Sequence, residues 1–196
     1  MPINIIMITS ADRLSGHILA SSPAMFREDI QQQVILLISH TSQLAIGVQI
    51  NHEAMGQSLQ AIGNRMGITI PGNDPIWQGG TLGRDKIHII HSTDWMGTAS
   101  VKITDDLAVT NEVSILLAMS QDEGPKHYKA CSGFFSWSHD ELMHSLGVKS
   151  ASVELYQTAW EIVPASTDLI FFDQGGDQQW LRTLEASAAY QSTRWF

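Results

Sequence analysis

Two apolar stretches, VILLI at 34–38 and AIGVQI at 45–50, flank the polar turn His40 to Gln43. The first is an unbroken run of strand-forming residues, the pattern of a strand buried on both faces. The second alternates, with Ile46, Val48 and Ile50 on one side and Ala45, Gly47 and Gln49 on the other. Together they predict an antiparallel hairpin. Gly47, inside a strand, implies a bulge or a neighbour packed close against the backbone.

Around this hairpin the remaining patterns are short. A weakly alternating strand is expected at 17–21, and a short strand or an ordered arm at 3–8. Met55, Leu59, Ile62 and Met66 are spaced three or four apart, which predicts a helix over 54–66 stopped by Gly67. Residues 71–75 read as loop, and 86–91 and 100–103 as strands. Thr110 is the expected cap of a helix over 111–120, followed by a charged loop at 121–126. Ser138-His139-Asp140-Glu141 has the form of a capping box, and the helix it opens should stop at Gly147. Strands at 153–162 and 168–172 and a helix at about 177–189 complete the chain. Strands outnumber helices and do not alternate with them regularly. The expected class is α+β with a mixed, largely antiparallel sheet.

At 196 residues the chain suits one domain, 1–196. It carries 20 acidic against 11 basic residues, a net charge of −9, and the basic residues are scattered without a run. That balance argues against direct nucleic-acid binding. Charged residues make up 16%, below the usual share of about 25%, which favours a covered interface or pocket. Cys131 is the only cysteine, so no intramolecular disulfide and no multi-cysteine zinc site can form, in keeping with a reducing cytosol. The N-terminal apolar run has no basic segment before it and stops at Asp12-Arg13, unlike a signal peptide. No run approaches the ~18 apolar residues of a membrane span.

The catalytic patterns are thin. His88 and His91, three apart on a strand, point to opposite faces; His139 and His144, five apart on a helix, are poorly spaced to share a ligand. No His-Glu-x-x-His and no Gly-x-Ser-x-Gly occurs. Cys131 lies near Phe134 and Phe135 and reads as a buried apolar residue. Gly79-Gly80-Thr81-Leu82-Gly83, followed by Arg84 and Lys86, could cradle an anion with its amides, but it precedes a strand, and a tight turn requiring positive φ is the better reading. The six tryptophans read mostly as core or interface anchors, with Trp137 at a strand-to-helix corner able to line a pocket.

In order along the chain, Gly16-His17, the turn at Pro23, the hairpin ending Gly47-x-x-Ile50-Asn51, Gly79-Gly80 after Trp77, Gly133 with Trp137, and Glu154, Trp160, Pro164 and Trp180 resemble the YqgE/AlgH family of bacterial proteins. Where that family usually has Cys-Glu before the His of the long strand, this chain has Ile38-Ser39, and Ser136-Trp137-Ser138 replaces Gly-Trp-Gly. A reactive thiol on the long strand is therefore absent, and the chain resembles a divergent member of that family. The resemblance implies a small barrel-like mixed sheet surrounded by helices, and no defined reaction. Some members carry a regulator label.

The expected function is a cytoplasmic, non-enzymatic binding or regulatory module that meets a protein partner or a small ligand, with no cofactor and no metal. The alternative is an enzyme or small-ligand receptor whose cleft gathers His17, His40, Asn51, Gly79, Gly80 and Trp137. Oligomeric state does not follow from the sequence.

Overall fold

The structure, a computed structural model, describes residues 14–24, 30–147, 159–172 and 175–193. Ten strands form one curled sheet in the order β10-β1-β2-β3-β9-β6-β8-β7. These are β1 (His17–Ser21), β2 (Val34–His40), β3 (Leu44–Gln49), β6 (Leu82–Ser92), β7 (Val101–Lys102), β8 (Leu107–Thr110), β9 (Tyr128–Ser138) and β10 (Trp160–Pro164). Off that path, β4 (Glu53–Ser58) pairs with β5 (Pro75–Gln78), and β5 joins β9 in the only parallel pairing among the described strands. The expected hairpin is β2–β3, with a register shift between Leu37 and Ser39 on β2.

The long strand β9 organises the sheet. Its C-terminal half pairs with β3, from Gly47 opposite Phe135 to Leu44 opposite Ser138. Its N-terminal half takes β5 on that same edge, Ile76 to Gln78 opposite Ala130 to Ser132. Along its other edge runs β6. The sheet is thus a half-barrel whose two lobes are joined through one strand.

Side-chain alternation sorts the core into three layers. Ile18, Val34, Leu36, Val48 and Ile50 face one side with Leu169 and Ile170 of α4 (Thr167–Phe171) and Trp180 of α5 (Gly176–Thr193). Leu19, Ile35, Leu37 and Ala45 face the other side, against Leu142, Met143 and Leu146 of α3 (His139–Ser145) and its end. Ile76, Ile89 and Ala130 lie with Leu59 of α1 (Leu59–Arg65) and with Ile115, Leu116 and Met119 of α2 (Val113–Ser120). Each fully buried Leu or Ile contributes roughly 1.5–3 kcal/mol. Helix α5 differs, because its buried residues Gln179, Thr183 and Ser187 are polar. Gln179 Nε2 donates to the Leu169 carbonyl at 2.6 Å, Ser187 Oγ to that of Ile162 at 3.1 Å, and Trp180 Nε1 to that of Ser21 at 2.8 Å. The helix therefore docks by hydrogen bonds as well as by packing.

The capping box formed as expected: Ser138 Oγ accepts from the Glu141 amide, the Glu141 carboxylate accepts from Ser138, and α3 stops before Gly147 at φ +74°. Three expectations need correction. The 54–66 segment is not one helix, because Gly56 takes φ +75° and Ser58 caps a helix that starts only at Leu59. The residues before Ser58 form β4, and Met55, counted on the apolar face, is 95% exposed. Thr110 does not cap α2; it ends β8 opposite Ile89, and Glu112 holds the cap position. The apolar run 168–172 is helical, because Ser166 Oγ accepts from the Leu169 amide at 3.3 Å and closes the first turn. Strands β4, β5 and β8 were not anticipated. The expected arm at 3–8, and the expected strand at 153–162 before Ala159, lie outside the described residues.

Candidate functional site

Asn51 follows β3 and is 1% exposed. Its Oδ1 accepts from the Val34 amide at 3.0 Å and from Gln49 Nε2 at 3.3 Å. Its Nδ2 donates to the carbonyls of Gln32 at 2.7 Å and Gly176 at 3.2 Å. One amide thus ties the start of β2, the bend before it and the first residue of α5.

Gly79 and Gly80 sit where β3 hands its place beside β9 to β5. The Gly79 amide donates to the Ser132 carbonyl at 2.7 Å, and its carbonyl accepts from Gln49 at 2.8 Å. A Cβ on Gly79 would lie 2.3 Å from the Gly133 oxygen, and one on Gly80 would lie 2.1 Å from the Phe134 carbonyl carbon. Neither glycine has positive φ, so close approach of two backbones, rather than a tight turn, explains the pair. With its N–H committed to Ser132, Gly79 offers no donor to an anion.

His40 ends β2 in a different neighbourhood. Six residue steps of extended chain lead from Val34 to His40, about 20 Å at the rise of a strand. The ring is 5% exposed. Its Nδ1 accepts from the Leu14 amide at 3.0 Å, and its Nε2 lies 3.0 Å from His139 Nδ1. The two rings are inclined by only 6° with centroids 5.1 Å apart. The N···N contact spans most of that separation, so the rings meet edge to edge. Burial lowers the His40 pKa from its ordinary value, and the neighbouring His139 lowers it further.

Trp137 is on β9 opposite Ala45, close to His40, since Ala45 also pairs with His40. Its ring packs with Phe135 at 5.8 Å and would stand 3.1 Å from a Cβ at Gly47, which explains that glycine. His17 begins β1 opposite Pro164. His40 and Trp137 therefore share one neighbourhood, Asn51 and Gly79 meet at Gln49 in another, and His17 belongs to the β1–β10 pairing. The six residues expected to line one cleft do not converge on one.

Three features escaped sequence reasoning. His139 reaches His40 across 99 positions of chain, and only the β3–β9 register brings them together. Lys129, 5% exposed on β9, donates to the Ile50 carbonyl at 2.8 Å and stands 3.9 Å from the centre of the Trp77 ring; a lysine two residues before a buried cysteine was the available signal. His91 is fully buried, with Nδ1 3.0 Å from the Ser92 carbonyl and Nε2 3.4 Å from Ser100 Oγ. Burial lowers its pKa, against the opposing pull of the Ser92 carbonyl and Asp94. Among the described residues no three His, Cys, Asp or Glu side chains cluster to hold a metal, and no helix is long and apolar enough to cross a membrane.

A sequence profile of the AlgH-like family matches residues 18–189. The chain is 30% identical over 162 residues to a UPF0301 protein of Laribacter hongkongensis, spanning 81% of this chain and 82% of that one. It is 26% identical to a UPF0301 protein of Sphingopyxis alaskensis, over 89% of each. In fold it is similar to the AlgH protein from Pseudomonas aeruginosa, with TM-score 0.71 and 21% identity over 93% of both chains. A protein from Corynebacterium diphtheriae is similar at TM-score 0.63 and 17% identity, covering 88% of this chain and 86% of that one. The half-barrel is thus shared with proteins of other bacteria, and the chain is a divergent member of the AlgH-like family.

Proposed function

We propose that the protein is a non-catalytic binding module of the bacterial cytoplasm, meeting a protein partner with a regulatory consequence. The observation that carries this reading is the engagement of the candidate polar residues in the frame. Asn51 straps three segments, the Gly79 amide is bonded to Ser132, and His40 Nδ1 accepts a backbone N–H. Groups held this way fix backbone positions and have little left to offer a substrate. The net charge of −9 favours a protein over a nucleic acid. Strand β7 ends the sheet order and carries Val101 exposed, the kind of edge to which a partner's strand can add.

The test is affinity capture of the tagged protein from its own lysate at low and high salt, followed by reconstitution with the purified candidate. A stoichiometric protein that rebinds supports the reading. A co-purified metabolite without a protein partner shifts it to a small-ligand receptor. One observation favours an enzyme instead, the Ser100–His91 contact with His91 oriented by the Ser92 carbonyl. Turnover of a simple activated ester that Ser100→Ala abolishes would replace the binding reading with a hydrolytic one.

A further inference from the structure

The His40–His139 contact joins three segments that are far apart in sequence. The lead-in to β1 is bound to His40 twice, since Leu14 N–H donates to Nδ1 at 3.0 Å and Ser15 Oγ accepts the His40 amide at 2.8 Å. The turn after β2 holds α3, because the His139 amide donates to the Gln43 carbonyl at 3.0 Å. The rings close the triangle.

The backbone donor from Leu14 dictates the tautomers. Nδ1 of His40 must be unprotonated to accept it, so neutral His40 carries its proton on Nε2 and donates to His139 Nδ1. His139 then carries its own proton on Nε2. In this arrangement each ring holds one proton, and both bonds are made. A further proton has no place that preserves them. On His40 Nδ1 it would face the Leu14 N–H. On His139 Nδ1 it would face the His40 N–H, and moving the His40 proton to Nδ1 to relieve that contact again displaces Leu14.

We propose that this pair is an acid-sensitive latch: uptake of one proton breaks the bond between His40 and Leu14 and frees Leu14 from the end of β2, while Gly16 stays held by Leu37 and Ala165. The latch does not depend on the binding reading above. The titratable groups on the elements packed against the pair are His17 on β1, Asp140, Glu141 and His144 on α3, and Tyr128, Lys129 and Cys131 in the other half of β9; β3 and residues 14–16 carry none. Glu141 is already bonded to the amide and hydroxyl of Ser138. The lowered pKa of His40 agrees with the geometry. Because the folded pKa lies below the unfolded value of about 6.5, the unfolded or opened chain binds more protons as pH falls through that value. The latch is therefore closed at neutral pH and weakens on acidification. What it exposes is Leu14, a buried member of the layer under α3.

Amide hydrogen exchange between pH 7.5 and 5, corrected for intrinsic rates, tests this on the intact protein. The Leu14 amide is expected to lose protection about tenfold per pH unit once the pair begins to protonate, while the buried Val34 amide stays protected. In His40→Asn, the amide oxygen takes over the Leu14 bond and nothing at 40 titrates, so Leu14 protection should become independent of pH. Constant Leu14 protection in the wild type would overturn the proposal, as would parallel loss at Leu14 and Val34, which marks global unfolding. Should the variant not fold, nitrogen-15 NMR of wild-type His40 at pH 7 decides. An Nε2–H neutral ring is expected, and an Nδ1–H or cationic ring overturns the latch.

Discussion

Replacing Asn51 by aspartate changes one NH2 group to an oxygen at nearly constant volume. The bonds to Oδ1, from Val34 and Gln49, survive. The second oxygen, however, takes the place of a donor that bonds the Gln32 carbonyl at 2.7 Å and the Gly176 carbonyl at 3.2 Å. A carboxylate there faces two acceptors in a site only 1% exposed, whereas a protonated acid restores one of the two bonds. The folded pKa of the new acid must therefore rise. With the folded acid still protonated near pH 7, and an unfolded value of about 3.9, linkage sets the cost at about three pH units of ~1.4 kcal/mol, or about 4 kcal/mol. The native state then binds more protons than the unfolded state, so the deficit shrinks as pH falls, to about 1.5 kcal/mol at pH 5. Urea unfolding at pH 7 should show the midpoint lowered by about 2 M for a slope near 2 kcal/mol/M, with most of the gap to wild type closing by pH 5. Asn51→Ala serves as control, losing about 1–3 kcal/mol for the stranded Val34 N–H with no change of the gap with pH. A variant as stable as wild type at pH 7, or a gap that stays constant on acidification, would refute the reasoning.

Gly80→Ala should abolish folding or cost more than about 4 kcal/mol, since its Cβ would stand 2.1 Å from one backbone atom of Phe134 and 2.2 Å from another. Gly67→Ala, with open space around the added carbon and φ +75°, should cost only about 1–2 kcal/mol by thermal melting, and equal losses at the two positions would show that backbone contact is not what Gly80 provides. Burial pushes the Cys131 thiol up to about 12, so Ellman's reagent at pH 8 should leave the native protein unmodified and label it promptly in guanidinium. Rapid native labelling would contradict its place in the core.

The parts of the fold that could be read from the sequence are those whose cause is local. The β2–β3 hairpin follows from two adjacent apolar patterns, and the α3 start from a capping box whose partners are three residues apart. Where a local signal competed with a stronger one, the reading failed. The helical spacing of Met55, Leu59, Ile62 and Met66 extends across Gly56, but the Ser58 cap and the pairing of β4 with β5 set the boundary. The apolar run at 168–172 suits a strand or a buried helix equally, and Ser166 decided it. Glycine at 79 and 80 was legible as a requirement, though its cause, the backbone of β9, was visible only in space. The His40–His139 contact was not legible at all, because it depends on the register of β3 on β9.

That division bears on what the family resemblance carries. The positions that mark it include Gly47, Asn51, Gly79, Gly80 and Gly133, and each has a mechanical task. Gly47 admits the Ile35 and Trp137 side chains, Asn51 straps α5 to β2, and Gly133 at φ +78° would drive a Cβ against the carbonyls of Gly80 and Leu82. Such residues transmit architecture and say nothing of chemistry. The groups outside that frame are the Ser100–His91 contact and the exposed edge at Val101. Activity in this chain is therefore to be sought by perturbing those positions, with Asn51 and the glycines reserved for testing the frame.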